Sequence, residues 1–343
     1  MLSFFLVCFA AALNLPPRHK STSNSSSTGG VDFTVVYTYV DGNDKQVQQD
    51  AMEALNRLPG NRIRDRNELK YSLRSLTKYM PWYKGDIVIV CNRNPPLWLN
   101  TEHPRIRIVR HKDIIDEDYL PTFNSAAIEL NFWKIPDIGE RILYFNDDFF
   151  LGNYVTPRDF WSPSGQPNQR YTKKLNGGKD AFKKLLKARK FLWRASVYRT
   201  SWKVSQLTKQ TVHSFHKHTP YSILTSTLKK IWEHFPEDVE RTMLSKSRDY
   251  EDLRTTLMIS WLQTDFGLSN PDFVSDADGE YLFVKTPKLE TFVHGLSWVA
   301  QNRPKFFNVA DYKEADVWED AFLTLMEGMY HVPSEFELQK RED

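Results

Sequence analysis

The segment Arg141-Ile-Leu-Tyr-Phe-Asn-Asp-Asp-Phe-Phe-Leu-Gly152 joins a run of apolar residues to two adjacent carboxylates. A continuous apolar run of this length predicts a strand covered on both faces, as in parallel or mixed α/β sheets. Two carboxylates at the end of such a strand are costly unless a cation lies against them. A divalent metal that also binds phosphate oxygens would neutralise Asp147 and Asp148. An acidic turn without a metal is the alternative, since Asp and Asn are common turn residues.

The composition is that of a soluble globular protein. The chain has 343 residues, enough for one large domain or two ordinary ones, with 41% hydrophobic and 26% charged residues. A net charge of +3 gives no reason to expect a nucleic-acid partner. No disulfide framework is expected, because one of the two cysteines, Cys8, lies in the apolar N-terminal run and the other is Cys91.

The N-terminal residues predict a targeting segment and a linker. Residues 1–14 are apolar but too short for an ordinary membrane span, so they indicate a signal peptide, a truncated membrane anchor or a misassigned start. Residues 15–30 form a Ser-rich stem that cannot build a core. This layout predicts an enzyme of the secretory pathway, at the Golgi membrane or in its lumen, with possible N-terminal membrane anchoring.

Strands and helices alternate through the first half of the chain. β-Branched and aromatic runs predict strands at residues 31–39, 85–92 and 105–111, besides the run that begins at Arg141. Helical patterns lie between them, at residues 46–57, 64–80 and 124–135. This order predicts an α/β fold with a mostly parallel sheet. The first strand ends in Val40-Asp-Gly-Asn-Asp44, a turn of the kind that binds nucleotides in doubly wound sheets, although many strands end in Asp-Gly.

A stripe of basic residues runs along one face of the second predicted helix. Asp65 and Glu68 predict its N-terminal capping box. Arg66, Lys70 and Arg74 are four residues apart and therefore share a face. That face is either solvated or a phosphate clamp at the helix start.

The second half is predicted to be largely helical. Residues 161–190 lack a clear period and predict a loop or lid, whose lysines (Lys173, Lys174, Lys179, Lys183 and Lys184) either meet an anionic substrate or are simply solvated. Residues 191–343 are predicted to complete the same domain. Among His213, His216 and His218 the spacing does not match a zinc site, whereas one histidine acting as a general acid or base is chemically reasonable.

Four separated blocks, in order, resemble the Stealth family. The blocks are Val36-Tyr-Thr-Tyr-Val-Asp-Gly-Asn-Asp44; residues 64–75, 120–129 and 144–148; residues 218–221, 232–242 and 246–248; and residues 305–311 with 333–337. Some positions depart from the family pattern, since Tyr39, Asn124, Ala126 and Ala310 replace the usual residues. The last departure weakens the expected role of the fourth block.

The resemblance implies a GT-A-like, Rossmann-type domain with a largely helical C-terminal addition, in which residues 31–160 bind a nucleotide sugar. It implies an enzyme that transfers a sugar 1-phosphate, with UDP-GlcNAc as donor and Mg²⁺ or Mn²⁺ as cofactor, to a hydroxyl of a glycan or glycoprotein acceptor, releasing UMP. An ordinary glycosyltransferase that releases UDP and a non-catalytic glycan-binding protein are the alternatives.

The resemblance also implies roles for individual residues. His218, Arg248 and Asp147 would be catalytic, and Asp147, Asp148 and Asp311 would bind the metal. The donor would be bound by Tyr39, Asp41, Gly42, Asn67, Lys70 and Arg74.

Overall fold

A computed structural model describes residues 31–57, 65–175, 178–274, 279–284, 288–309 and 315–339. The predicted N-terminal segment and stem, and Asp311, lie outside these residues. Within them, no helix is long and apolar enough to cross a lipid bilayer.

The central sheet has five strands in the order β3-β2-β1-β4-β8. They are β1 (Thr34–Tyr39), β2 (Ile87–Cys91), β3 (Ile106–Arg110), β4 (Arg141–Asn146) and β8 (Tyr221–Leu224). The first four run parallel, and β8 pairs antiparallel with β4. The predicted α/β fold with a mostly parallel sheet is therefore confirmed.

The apolar run that begins at Arg141 forms β4, an interior strand of this sheet that lies between β1 and β8. Residues Ile142–Phe145 have no exposed surface, as expected of a strand covered on both faces. Thr38 of β1 pairs with Asn146 of β4, so both strands end at one edge. The turns that follow Tyr39 and Asn146 are thereby brought together.

Eleven α-helices lie in the described residues. They are α1 (Lys45–Leu55), α2 (Glu68–Tyr79), α3 (His111–Ile114), α4 (Ser125–Glu129), α5 (Lys179–Ala188), α6 (Leu192–Thr208), α7 (Thr225–His234), α8 (Pro236–Leu244), α9 (Thr255–Asp265), α10 (Leu289–Asn302) and α11 (Ala315–Met329). The predicted helix at 124–135 is shorter than expected, because α4 ends at Glu129 and a 3-10 turn at Phe132–Lys134 follows.

The second half contains more strands than the sequence predicted. One small sheet, in the order β10-β11-β5, joins β5 (Phe149–Leu151) to β10 (Tyr281–Val284) and β11 (Phe306–Val309). The other, in the order β7-β6-β9, contains β6 (Asn168–Leu175), β7 (His213–His216) and β9 (Asn270–Phe273). Ile223 and Leu224, in the half predicted to be largely helical, lie on β8, because β4 offers this segment a pairing edge.

The predicted loop at residues 161–190 is wrong. The segment contains β6 and α5, and β6 pairs with both β7 and β9. The strand was missed because its polar residues face the interior: Gln169 and Arg170 are buried, and Arg170 lies 3.6 Å from the carboxylate of Asp159. Whether the segment acts as a lid stays a prediction.

Gly152 allows β5 and the residues before β11 to approach closely. Its amide donates a hydrogen bond to the Lys305 carbonyl at 3.1 Å, and a Cβ here would clash with the Pro304 carbonyl oxygen.

We expect Gly152→Ala to lower the free energy of unfolding by about 2–3 kcal/mol, since backbone must move. Urea unfolding measures this. The control is Gly139→Ala, where the space is open and only a φ of +69° opposes alanine, at about 1 kcal/mol. Equal losses would contradict the close approach.

Candidate active site

Asp147 and Asp148 form the turn between β4 and β5. The Asp148 amide donates to Asp147 Oδ1 at 3.1 Å, which fixes the turn. Both side chains keep some surface open to solvent, although protein surrounds their carboxyl groups. Burial raises both pKa values well above the usual range of a carboxyl group. Repulsion from Asp148 raises the pKa of Asp147 further. Repulsion from Glu68 raises the pKa of Asp148 further.

Three more carboxylates complete an acidic cluster, which we define as Asp41, Asp65, Glu68, Asp147 and Asp148. Burial, followed by the charge of Asp147, raises the pKa of Glu68 to about 8. Burial also raises the pKa of Asp65, and Asp41 contributes to that rise. The cluster lies where β1 and β4 end and α2 begins, at the carboxyl edge of the sheet.

The first predicted donor-binding turn adjoins this cluster. The Tyr39 hydroxyl donates to Asp65 Oδ2 at 2.7 Å. Burial raises the Tyr39 pKa, and Asp65, Asp41 and Asp147 raise it further, so all three charges lie close to the ring. The turn itself is held by Asn43, whose amide donates to Asp41 Oδ1 at 2.8 Å, and by Gln48, whose side chain donates to the Gly42 carbonyl at 2.8 Å.

The predicted capping box at the start of α2 is wrong. The helix begins at Glu68, and Asn67 occupies the N-cap position without a side-chain cap and with a φ of +64°. The carboxylates of Asp65 and Glu68 instead accept the amides of Asn67 and Arg66, at 2.7 and 2.6 Å. Both carboxyl groups therefore belong to the acidic cluster, which the sequence pattern did not indicate. Asn67 itself is exposed beside them.

His218 and Arg248 both reach the cluster from the second half of the chain. The His218 ring packs edge-on against Phe149, the residue after Asp148, with centroids 4.7 Å apart. Its Nδ1 lies 3.3 Å from the Tyr221 hydroxyl. Arg248 donates to Ser125 Oγ at 3.0 Å, and its charge opposes the pKa rise that burial causes at Asp148. The structure thus places an imidazole and a guanidinium beside the paired carboxylates.

Two further residues of the site were missed. Glu129 is buried, which raises its pKa to about 7 against the opposing charges of Arg248 and Arg254. In the sequence, Glu129 could have been noticed as the carboxylate on a helix whose other side chains are small or apolar. Asn308 is buried on β11, opposite Phe149, and donates to the Asp148 carbonyl at 3.3 Å. No local pattern identified it, since the contact depends on strand pairing.

Lys70 and Arg74 do not join the site. Arg74 donates through Nε and Nη2 to the two carboxylate oxygens of Glu337, both at 2.8 Å, and through Nη1 to the Tyr330 carbonyl at 2.8 Å. Lys70 Nζ lies 3.8 Å from Glu337. The predicted phosphate clamp is therefore wrong for both residues, because this face of α2 packs against the C-terminal segment.

The other two histidines also lie apart from the cluster. His213 is buried between Ser201 and Asp265, at 2.8 and 3.2 Å. Burial lowers the pKa of His216 to about 3, so this ring stays neutral in the core. Of the three histidines, only His218 reaches Phe149 and the acidic turn.

The paired carboxylates offer a partial cation site. Asp148 Oδ1 and Asn308 Oδ1 are buried and have no hydrogen-bond partner among the described residues. Oxygen atoms of this kind suit Mg²⁺ or Mn²⁺. However, no group of three or more His, Cys, Asp or Glu side chains in the described ranges is arranged around one metal position. The described residues would thus supply one or two carboxylates, as is usual where phosphates and water supply other ligands.

The acidic cluster should make stability pH-dependent when no divalent cation is present. The folded protein retains protons on these carboxyl groups at pH values where the unfolded chain, with pKa values near 4, has lost them. Stability therefore falls as pH rises from about 5 to 8. In EDTA, we expect the thermal midpoint of Asp147→Asn/Asp148→Asn to exceed that of the unmodified protein at pH 8 by at least about 3 °C, and to match it at pH 5.

The matched control removes two exposed carboxylates, in Glu102→Gln/Glu117→Gln. Its thermal midpoint should follow that of the unmodified protein across the range. Equal midpoints for all three proteins at pH 8 would show that Asp147 and Asp148 are not crowded in the folded state.

The buried ion pair of Arg74 and Glu337 should stabilise the fold rather than bind donor. Their side chains are only 7% and 8% exposed. We expect Arg74→Ala and Glu337→Ala each to cost about 3 kcal/mol in urea unfolding, and the double variant to cost much less than their sum. An Arg74→Ala protein of unchanged stability but weakened donor binding would restore the phosphate role.

Comparisons with known proteins show what this chain is similar to. Residues 62–169 match the model of conserved region 2 of the Stealth proteins. An exopolysaccharide phosphotransferase of Streptomyces coelicolor is 30% identical over 320 residues, which cover 90% of this chain and 52% of that protein. A second one from the same organism is 33% identical over 68% of this chain and 25% of its own length. A capsular polysaccharide phosphotransferase of Neisseria meningitidis serogroup B is 28% identical over 69% of this chain and 65% of its own length.

The chain thus spans between about a quarter and two thirds of these relatives. Among solved structures, the galactosyltransferase LgtC covers 88% of this chain and 98% of its own length, at 11% identity and a TM-score of 0.41. So low a score adds nothing to the fold that the strand pairing establishes. On its matching region and its curated relatives, this chain is similar to the proteins of the Stealth family.

Proposed function

We propose that the protein transfers a sugar 1-phosphate from a nucleotide sugar to a hydroxyl of a glycan. The observation that carries the proposal is the convergence of Asp147 and Asp148 with Arg248 and His218 at one edge of the sheet. The names of the curated relatives, phosphotransferases of capsular polysaccharide and exopolysaccharide, support it.

The reaction forms one bond and breaks one. An acceptor hydroxyl oxygen bonds to the phosphorus nearest the donor sugar, and the bond from that phosphorus to the bridging oxygen breaks. UMP leaves with that oxygen, and a phosphodiester remains between donor sugar and acceptor. The hydroxyl proton must be taken up as the oxygen attacks, which requires a base.

His218 is the proposed base. Burial raises the pKa of Tyr221, so this hydroxyl keeps its proton and is a neutral partner. In the proposed tautomer, His218 Nδ1–H donates to Tyr221 Oη, 3.3 Å away. Nε2 then carries the lone pair, which can take up the proton of the attacking glycan hydroxyl. Tyr221 and Phe149 together fix the orientation of the ring.

Arg248 and the carboxylates are proposed to manage the charge of the diphosphate. Arg248 lies close enough to Asp148 to offset part of the rise that burial causes in its pKa, and a guanidinium can donate two hydrogen bonds to phosphate oxygens. Asp147 and Asp148 would hold Mg²⁺ or Mn²⁺, which supplies neutralisation of the diphosphate when bound. Asp311 is a further proposed ligand from outside the described residues.

The donor pocket is proposed to include Asp41, which belongs to the acidic cluster, and Tyr39, Gly42 and Asn67, which lie beside it. UDP-GlcNAc is the proposed donor, and a glycoprotein or polysaccharide glycan is the proposed acceptor. The secretory pathway is the proposed location, on the basis of the N-terminal residues.

The nucleotide that leaves tests this function. The protein is incubated with a panel of UDP sugars that includes UDP-GlcNAc, with Mg²⁺ or Mn²⁺ and with α-methyl mannoside, and the released nucleotide is identified by chromatography. We expect UMP, and a fall in its rate of release of at least about 100-fold in Asp147→Asn/Asp148→Asn and in His218→Ala. The double variant Glu102→Gln/Glu117→Gln is the matched control and should keep the full rate.

Other products would contradict the proposal. Release of UDP would assign an ordinary glycosyltransferase. Release of neither nucleotide with any donor in the panel would favour a glycan-binding protein without catalysis.

A further inference from the structure

The positive charge of this chain is concentrated in one short stretch. Residues 173–194 contain nine basic residues and a single acidic one, Asp180, whereas the whole chain carries only +3. The rest of the chain is therefore net negative. All nine basic side chains are exposed, and none of them forms an ion pair with a carboxylate in the described part of the chain (Lys173, Lys174, Lys179, Lys183, Lys184, Lys187, Arg189, Lys190 and Arg194).

These residues occupy one helical hairpin. We call it the basic hairpin: α5, the connecting residues 189–191, and the first turn of α6 through Arg194, with Lys173 and Lys174 at the end of β6. Phe182 is the residue of α5 that is buried, and its ring stacks on Trp202 of α6 with centroids 6.2 Å apart. Lys183, Lys184 and Lys187 are exposed on α5, which is thereby amphipathic.

Two large aromatic side chains stand exposed at the tip of the basic hairpin. Phe191 is 68% exposed and Trp193 is 50% exposed. Phe191 also has a φ of +51°, a conformation in which a bulky residue is uncommon and glycine or asparagine would cost less. Neither backbone geometry nor core packing therefore explains a phenylalanine at this position.

We propose that the basic hairpin is a membrane-binding element that attaches the domain to a bilayer surface carrying anionic lipids. Exposed aromatic rings enter the interface between headgroups and acyl chains, and surrounding Lys and Arg bind the lipid phosphates. A site of this kind needs both apolar insertion and charge, and the basic hairpin presents the two together. It would act beside any attachment through residues 1–14, because stable peripheral binding takes two signals.

A bilayer explains the tip better than a charged glycan does. Phe191 has no polar atom on its side chain and projects from a turn, which suits insertion among lipids more than hydrogen bonding to sugars. Trp193 stacks on Phe215 at 6.0 Å, and Phe215 precedes His218 by three residues, a distance of at most about 11 Å along the chain. Attachment through the basic hairpin would therefore keep the candidate site close to the membrane.

Co-sedimentation of the full chain with vesicles tests the proposal. The vesicles are phosphatidylcholine alone or phosphatidylcholine with about 30% phosphatidylglycerol, at 50 mM and at 500 mM NaCl. We expect binding to the anionic vesicles that weakens at high salt, since screening reduces attraction between exposed charges. Lys183→Gln/Lys184→Gln/Lys187→Gln and Phe191→Ser/Trp193→Ser should each weaken this binding at least about tenfold.

Matched controls separate the basic hairpin from general charge, exposed apolar surface and the N-terminal segment. Lys45→Gln/Lys84→Gln/Lys112→Gln removes three exposed lysines elsewhere, and Leu97→Ser removes a side chain that is 94% exposed. Both controls retain residues 1–14 and should bind as the unmodified chain does. Thermal midpoints within about 2 °C of the unmodified protein show that the variants fold.

Several results would overturn the proposal. Equal binding of the hairpin and control variants would assign the attachment to another surface. Absence of vesicle binding, combined with hairpin-dependent binding to a phosphodiester-linked polysaccharide, would make the basic hairpin a glycan site. Binding to neither would leave it a solvated surface. UMP release is measured separately in solution, so failure of the proposed function and failure of membrane binding are distinguishable.

Discussion

The crowding of carboxylates at the end of β4 is the constraint on which the rest of this structure depends. Asp147 and Asp148 are adjacent and surrounded by protein, and Glu68 and Asp65 face the same turn. Burying like charges is unfavourable unless protons, cations or basic side chains neutralise them. Arg248 neutralises only part of this charge. We propose that a cation bound by the remaining carboxylates and the guanidinium of Arg248 together hold the donor diphosphate.

The fold holds this turn in place from several sides. β4 lies between β1 and β8, and the residues after the turn continue as β5, which pairs with β11. Each neighbouring element contributes one group: Tyr39 comes from β1, Glu68 from the start of α2 and Asn308 from β11. Because the carboxyl ends of β1 and β4 meet at one edge, groups distant in sequence converge without long loops.

The sequence predicted most of the sheet and part of the site. The apolar runs identified β1 to β4, because a strand covered on both faces leaves an unbroken hydrophobic signal. The structure brings the turns after β1 and β4 together and places His218 and Arg248 beside them. Their binding of donor or metal stays a prediction.

The failures have a common physical cause, which is pairing between distant segments. Arg74 resembled a phosphate ligand, but its partner Glu337 lies 263 residues away. Residues 168–175 resembled a loop, because the strand buries the charged Arg170 against Asp159 as well as the apolar Tyr171 and Leu175. Asp65 and Glu68 resembled a helix cap, since the spacing is the same whether the carboxylates cap a helix or face Asp147. Local patterns record the type of each residue, whereas these roles depend on which segment packs against it.

We propose that Asp147 and Asp148 form a cation site. Crystals of the protein soaked with MnCl₂ and the donor nucleotide, and measured for anomalous scattering of manganese, test this site. We expect one strong anomalous peak within about 2.5 Å of a carboxylate oxygen of Asp147 or Asp148, with phosphate oxygens completing the coordination. Nucleotide bound at this edge without manganese, or manganese bound only elsewhere, would contradict it.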